Sequence, residues 1–276
     1  MSHEGLIRAG AFLGILVLMS LWEILAPRRR PIRGRGRRWI GNLGLVVLAT
    51  VIARALLPGI VVATAIIAHE RGWGVLSLVS WPLWLEGSIA FVALDLAIYL
   101  QHVMTHALPL LWRLHRVHHG DPMIDASTGV RFHPFEILMS LLVKSAVVAA
   151  LGAPVVAVIV FEIVLNAMAV FNHANVAYPP WIDRWLRLLV VTPEMHRVHH
   201  SHHRDEQARN FGFNLPWWDR LFTTYCAQPR DGHLDMAVGL QDVTAERGMR
   251  WWWMVLSPFA RSESRAFVDA SIVRPR

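Results

Sequence analysis

Apolar residues run through this chain in blocks longer than a globular core needs. Residues 6–26 form one such block, closed by Pro27, and about 20 apolar residues suffice to carry a helix across a bilayer core of about 30 Å. Residues 40–68 form a second, interrupted by Arg54 and by Pro58-Gly59, which reads as one kinked, tilted crossing. Residues 81–101 make a third, with Glu86 and Asp95 inside it. Residues 136–172 are apolar throughout but broken at Gly152-Ala153-Pro154. A single straight helix of that length would extend roughly 50 Å at 1.5 Å per residue, so two legs of a hairpin fit a bilayer better. The pattern predicts an all-α, multi-pass membrane protein with four to five membrane-embedded helical segments.

The polar positions orient these segments. Of 276 residues only 17% are charged, and the net charge of +7 comes almost wholly from arginine, Lys144 being the one lysine. Arg28, Arg29, Arg30, Arg33, Arg35, Arg37 and Arg38 form a dense run between the first two blocks. Beside a membrane span such a run reads as a cytoplasmic anchor, not a nucleic-acid arm, and no nucleic-acid partner is expected. With the run inside, the first block starts outside and is read as a retained span, since only Arg8 precedes its apolar centre and no small-residue cleavage site follows. Alternating crossings then bring every histidine-rich stretch to the cytoplasmic side, most simply of a bacterial inner membrane. Beyond Ala174 the chain turns polar, with Trp181, Trp185, Trp217 and Trp218 interspersed, a composition suited to the membrane surface. The expected division is a membrane domain over residues 1–230 and an interfacial tail over 231–276, anchored by Trp251-Trp252-Trp253. Cys226 is the only cysteine, which excludes an internal disulfide or an iron–sulfur cluster held by this chain's own thiols.

Candidate chemistry lies in the histidines. Twelve of the 15 fall between His102 and His203. His102 and His106 are four apart, and His115, His118 and His119 follow the pattern HxxHH, which His196, His199 and His200 repeat. Positions i, i+3 and i+4 share one helix face, so each cluster presents two or three imidazoles in one direction. Eight imidazoles from three segments are enough to surround two divalent ions, and His173 is a ninth candidate. Eight neighbouring imidazolium ions would repel one another, whereas metal binding uses the neutral form. Imidazole suits zinc, copper, iron and nickel. A structural zinc site needs four ligands, usually with cysteine, and no Glu-x-x-His of the soluble di-iron bundles occurs. The expected site is a nearly all-histidine di-metal centre within a cytoplasmic helical cap.

In combination these residues resemble the fatty acid hydroxylase/sterol desaturase superfamily of integral membrane di-iron enzymes, most closely its bacterial sterol desaturase family proteins. The resemblance rests on HxxxH at His102–His106, HRVHH at His115–His119 and again at His196–His200, Arg131-Phe132-His133-Pro134, Asn172-His173, Thr192-Pro193 and Trp218-Asp219-Arg220-Leu221-Phe222, all within residues 95–225. It implies iron ligation by His102, His106, His115, His118, His119, His173, His196, His199 and His200. His133 is implied as a further ligand or a support, and His202 and His203 extend the last cluster. Two departures stand out: Ala177 occupies the place of a second histidine that some relatives carry, and Asn210-Phe211-Gly212 replaces Asn-Tyr-Gly. Metal-bound imidazoles usually donate their other N–H to a carboxylate or carbonyl. Asp95 is the foremost candidate for that role, with Asn172, Glu194, Asp205 and Asp219 behind it.

The resemblance further implies two iron ions, O₂ as co-substrate, and hydroxylation or desaturation of a lipid-like substrate that arrives laterally from the bilayer. Sterol, hopanoid, acyl, ether-lipid and carotenoid substrates are all compatible. Electrons would come from a separate ferredoxin or cytochrome with its reductase. The competing readings are a histidine-rich metal-binding or metal-transport protein without catalysis, and a haem-binding electron carrier.

Overall fold

A computed structural model describes residues 3–32 and 34–260. Arg33 and the tail from residue 261 onward lie outside the described residues, so the expectations placed on them are not addressed. The described residues are all helical apart from loops and two isolated β-bridges, Pro27 with Val176 and Ser201 with Val238. Five segments are long and apolar enough to cross a membrane: Gly5–Leu25, Arg35–Leu78, Leu83–Ala107, Pro134–Leu151 and Val155–His173. The protein is a multi-pass membrane protein. Side chains such as Val17, Leu21, Leu25 and Val156 stand more than half exposed on the segment surfaces, as helices solvated by lipid allow.

The segments correspond to α1 (His3–Leu25), α2 (Arg35–Leu56), α3 (Ile60–Arg71), α4 (Leu83–Ala107), α6 (Pro134–Leu151) and α7 (Val155–His173), with α5 (Pro109–His119) between α4 and α6. Pro58 removes a backbone donor and Gly59 turns the chain at φ 62°, so α2 and α3 form one kinked path, both packing against α6. The α6–α7 hairpin breaks at Gly152, whose φ is 69° and whose Cβ position would lie 2.1 Å from the Trp73 carbonyl oxygen. Only glycine meets both demands. Ala65, Ala90, Leu94, Val148, Val158 and Phe161 close the core between α3, α4, α6 and α7. The small residues let the helix backbones approach.

The segment ends meet in a polar cap at one end. Fully buried Arg38 forms an ion pair with Asp121 at 2.7 Å and a second with Asp125. Glu23 accepts from the backbone N–H groups of Ala126 and Asn175 and pairs with Arg35. Arg28 pairs with Glu194, and Arg29 donates to the Met236 carbonyl. The arginine run is therefore more than a charged anchor: much of it turns inward, because the cap buries carboxylates that need cations. Residues 231–260, expected as an interfacial tail, are likewise bound into the cap. Gly239 donates to the His200 carbonyl, His202 donates to Ala237, and Trp253 is buried between Arg116 and Arg131. Trp252 is the exposed member of its triplet. Removing one partner of a buried pair leaves the other charge uncompensated, at a cost of about 3–5 kcal/mol. Arg38→Ala should accordingly lower the thermal unfolding midpoint in detergent far more than Arg37→Ala at the neighbouring exposed position; equal midpoints would contradict the structural role assigned to Arg38.

Candidate metal centre

The cap gathers nine histidines into two groups. His102, His106, His115, His119 and His199 form one, and His118, His173, His196 and His200 the other. Within each group the candidate ligand atoms all lie within 4.8 Å of one another, and every residue is buried. Helical spacing explains the division. α4 aims His102 and His106 at the first group. α5 gives His115 and His119, one turn apart, to the first and His118 to the second. The short helix Pro193–His199, capped by the Thr192 hydroxyl accepting from Met195 N–H, reverses this. Its His199 joins the first group, while His196 and His200 join the second together with His173, the last residue of α7.

Hydrogen bonds behind the rings fix their tautomers. His102 Nδ1 donates to the Phe211 carbonyl at 2.8 Å, His115 Nδ1 to Glu136 at 2.6 Å, His173 Nδ1 to the Ala169 carbonyl at 2.7 Å and His199 Nδ1 to the Arg209 carbonyl at 2.8 Å. With the proton on Nδ1, each Nε2 presents a lone pair inward. His102 and His115 bring these atoms within 3.1 Å, and His173 Nε2 lies 3.0, 3.1 and 3.2 Å from the Nε2 atoms of His118, His196 and His200. The facing lone pairs of His102 and His115 repel at this distance, and a cation between them reverses the sign. His106 Nε2, His199 Nε2 and both nitrogens of His119 are buried without any partner, a cost that metal ligation removes. The donor set thus fits two divalent ions, with five and four imidazoles to share. Burial first, and then neighbouring imidazoles, hold His118, His119, His196, His199 and His200 well below the ordinary histidine range.

The other candidates fall outside the two groups. His133 caps α6, accepting from Phe135 N–H and facing the Val255 carbonyl. His203 pairs with Asp231 near the surface, and His202 enters only through its backbone. Asp95 does not reach an imidazole: it accepts from Trp218 Nε1 and Leu215 N–H. Asn172 donates to the Phe213 carbonyl. Glu194 serves Arg28, Arg197 and His233, and Asp205 serves Arg230. Asp219 works one step removed. It accepts from Phe211 and Gly212 N–H, both at 2.8 Å, and so pins the loop whose carbonyls receive His102 and His199. Burial raises its carboxyl to about 6. Phe211 packs its ring 5.2–5.6 Å from those of His102, His106 and His199, so the position functions here as an apolar wall without a hydroxyl. Ala177 is bound to Ala26 through its backbone, and the second group holds four histidines without it. Glu136 is the functional residue that sequence reasoning missed; the one signal was a carboxylate in the first turn after His133-Pro134.

A cavity of about 640 Å³ runs from the membrane-spanning region to this centre, bounded by α1, α2, α3, α4, α6 and α7. Its inner end meets His102, His115, His118 and Phe132, and Phe132 stacks on His118 at 4.5 Å. The volume suits a mostly apolar small-molecule ligand.

Residues 87–224 match the fatty acid hydroxylase family, and the chain belongs to it. It is 25% identical over 236 residues to the ornithine lipid hydroxylase OlsE of Rhizobium tropici, covering 82% of this chain and 69% of that protein. It is 30% identical to the alkylglycerol monooxygenases of Danio rerio and Homo sapiens, over 54% and 50% of this chain but only 31% and 30% of theirs. The chain thus spans about a third of those two proteins. No solved structure matches it.

Two outcomes follow for the centre. Glu136→Ala should weaken metal binding about 10–100-fold in a chelator competition, while exposed His69→Ala should leave it unchanged. The depressed histidines also link stability to pH. Folding favours their neutral form, so the metal-free protein keeps this stability above about 6.5, the ordinary imidazole value, and loses it as pH falls below. Its unfolding midpoint should drop between about pH 7 and about pH 5; a constant midpoint would contradict the buried neutral cluster.

Proposed function

We propose that the protein is a di-iron oxygenase that uses O₂ to hydroxylate or desaturate a lipid-like substrate. The observation that carries this reading is the convergence of nine buried imidazoles, in two groups, at the inner end of a mostly apolar cavity that begins among membrane-spanning helices, with His102, His115 and His118 on its wall. The named activities of the relatives, a lipid hydroxylase and monooxygenases, support oxygen chemistry over a purely structural role for the metal. A transport role would distribute ligands along a path through the segments, whereas these stand together at one end.

Bound iron would supply the redox chemistry needed to activate O₂ toward a C–H bond. His102, His106, His115, His119 and His199 would hold one ion, and His118, His173, His196 and His200 the other. Glu136 and the Phe211, Arg209 and Ala169 carbonyls keep the Nε2 lone pairs aimed inward. Phe132, Phe211, Phe213 and Trp112 wall the centre against water. The cavity orients a chain so that one segment of it lies against His102, His115 and His118. Continued turnover requires electrons from a separate redox protein, a ferredoxin or a cytochrome with its reductase. We place the cap on the cytoplasmic side, in keeping with exposed Arg30 and Arg37 beside the first two spans, and the protein in a bacterial inner membrane.

Anaerobic iron loading tests the reading. About two irons should bind per chain, as the two ligand groups require, and His118→Ala/His199→Ala should lose them together with lipid oxidation. Retention of one zinc alone, or oxidation that survives the double substitution, would refute it.

A further inference from the structure

Charged side chains stand in the membrane-spanning part of the cavity with no part in the histidine centre. Arg8 of α1, Arg54 of α2, Lys144 of α6 and Glu162 of α7 all line it. Glu162 is 3% exposed and accepts from Arg8 at 2.7 Å and from Lys144 at 2.5 Å. One carboxylate thus faces two cations. Arg54, exposed on the same wall, has no ion-pair partner among the described residues. Glu136, the other carboxylate on the cavity wall, is committed to His115 at the opposite end. Among the described residues that line its outer part, three cations thus stand against one carboxylate. Ionised groups at this depth are costly, and they mark ligand or ion paths more often than structural ties. Joining α1 to α7 would need one cation, not three.

Their position gives the cavity a direction. Lys144 and Glu162 each lie eleven residues along their helices from the cap histidines His133 and His173, about 16 Å at 1.5 Å per residue. Arg8 is one turn beyond Phe12, and Arg54 two turns beyond Val46, both away from the cap.

We infer that this outer end binds an anionic group, a carboxylate or a phosphate, carried on the chain that reaches the histidines. Arg54 and Lys144 supply the donors, and Glu162 holds Lys144 in place. An extended chain advances about 1.2 Å per bond, so about 13 bonds separate the anionic group from the carbon at the metal centre. That the ligand is the substrate rests on the oxygenase reading; that the site takes an anion does not.

Binding to the full chain, loaded with redox-inert zinc in phosphatidylcholine nanodiscs, tests this apart from turnover. Tetradecanoate should displace a fluorescent fatty-acid probe at least about tenfold more tightly than its methyl ester. Arg54→Gln and Lys144→Met should each remove most of that preference, while Arg71→Gln, at the exposed end of α3, should not. Tetradecyl phosphate binding above tetradecanoate assigns a phospholipid-type head, and the reverse order a free carboxylate. Equal binding of acid and ester, a preference that survives both cavity variants, or displacement by inorganic phosphate alone would overturn the inference. If the preference holds while iron-loaded protein oxidises no lipid, the oxygenase reading fails and the anion site stands.

Discussion

Four imidazoles, His102, His115, His173 and His199, have their Nδ1 protons committed outward, which turns their Nε2 lone pairs inward; those of His102 and His115 face each other at 3.1 Å, and that of His173 lies 3.0–3.2 Å from the Nε2 atoms of three further rings. Such an arrangement is unfavourable in an empty, water-free cap and favourable around a cation. The rest of the molecule is arranged to maintain it. α4, α5, α7 and the Pro193–His199 helix end where their histidines must converge, and the 209–213 loop is tied down by Asp219 so that its carbonyls can receive two of the rings.

Electrostatics then divides the protein into three zones. The cap buries Glu23, Asp121, Asp125 and Glu194, and draws arginines inward to neutralise them. On the cavity side of the cap lies the histidine centre, with Trp112, Phe211 and Phe132 packed against its rings. Beyond it, the cavity is mostly apolar, with Thr50, Ser140 and Asn166 among its lining, until it reaches Arg8, Lys144, Glu162 and Arg54. A chain-bearing ligand matches this polarity in both composition and length.

Much of this was legible in the sequence, because both periodicities involved are local. Apolar block length gave the five segments, including the Pro58-Gly59 kink and the Gly152 break. The i, i+3, i+4 spacing identified eight of the nine clustered histidines, and His173 came from the end of the hairpin and the family resemblance. Their division was not legible, since whether His118 or His119 faces a given neighbour depends on how α5 is rotated against α4. The supports for the rings were largely hidden. Backbone carbonyls at Phe211 and Arg209 carry no side-chain signature, and Glu136 meets His115 across 21 residues of chain. Asp95 looked like such a support from its place on α4, but its carboxylate turns to Trp218 and Leu215. The inward contacts of the arginine run were hidden for a similar reason: positive charge beside a span suits the membrane surface and a buried carboxylate alike, and only tertiary contacts assign Arg28, Arg35 and Arg38 to the latter.

Iron K-edge X-ray absorption on the anaerobically loaded protein tests the central claim most directly. The account predicts a first shell dominated by imidazole nitrogen, with outer-ring scattering and no sulfur, that disappears in the His118→Ala/His199→Ala variant. A shell dominated by sulfur or by carboxylate oxygen, or one unchanged by the double substitution, would place the metal elsewhere and contradict it.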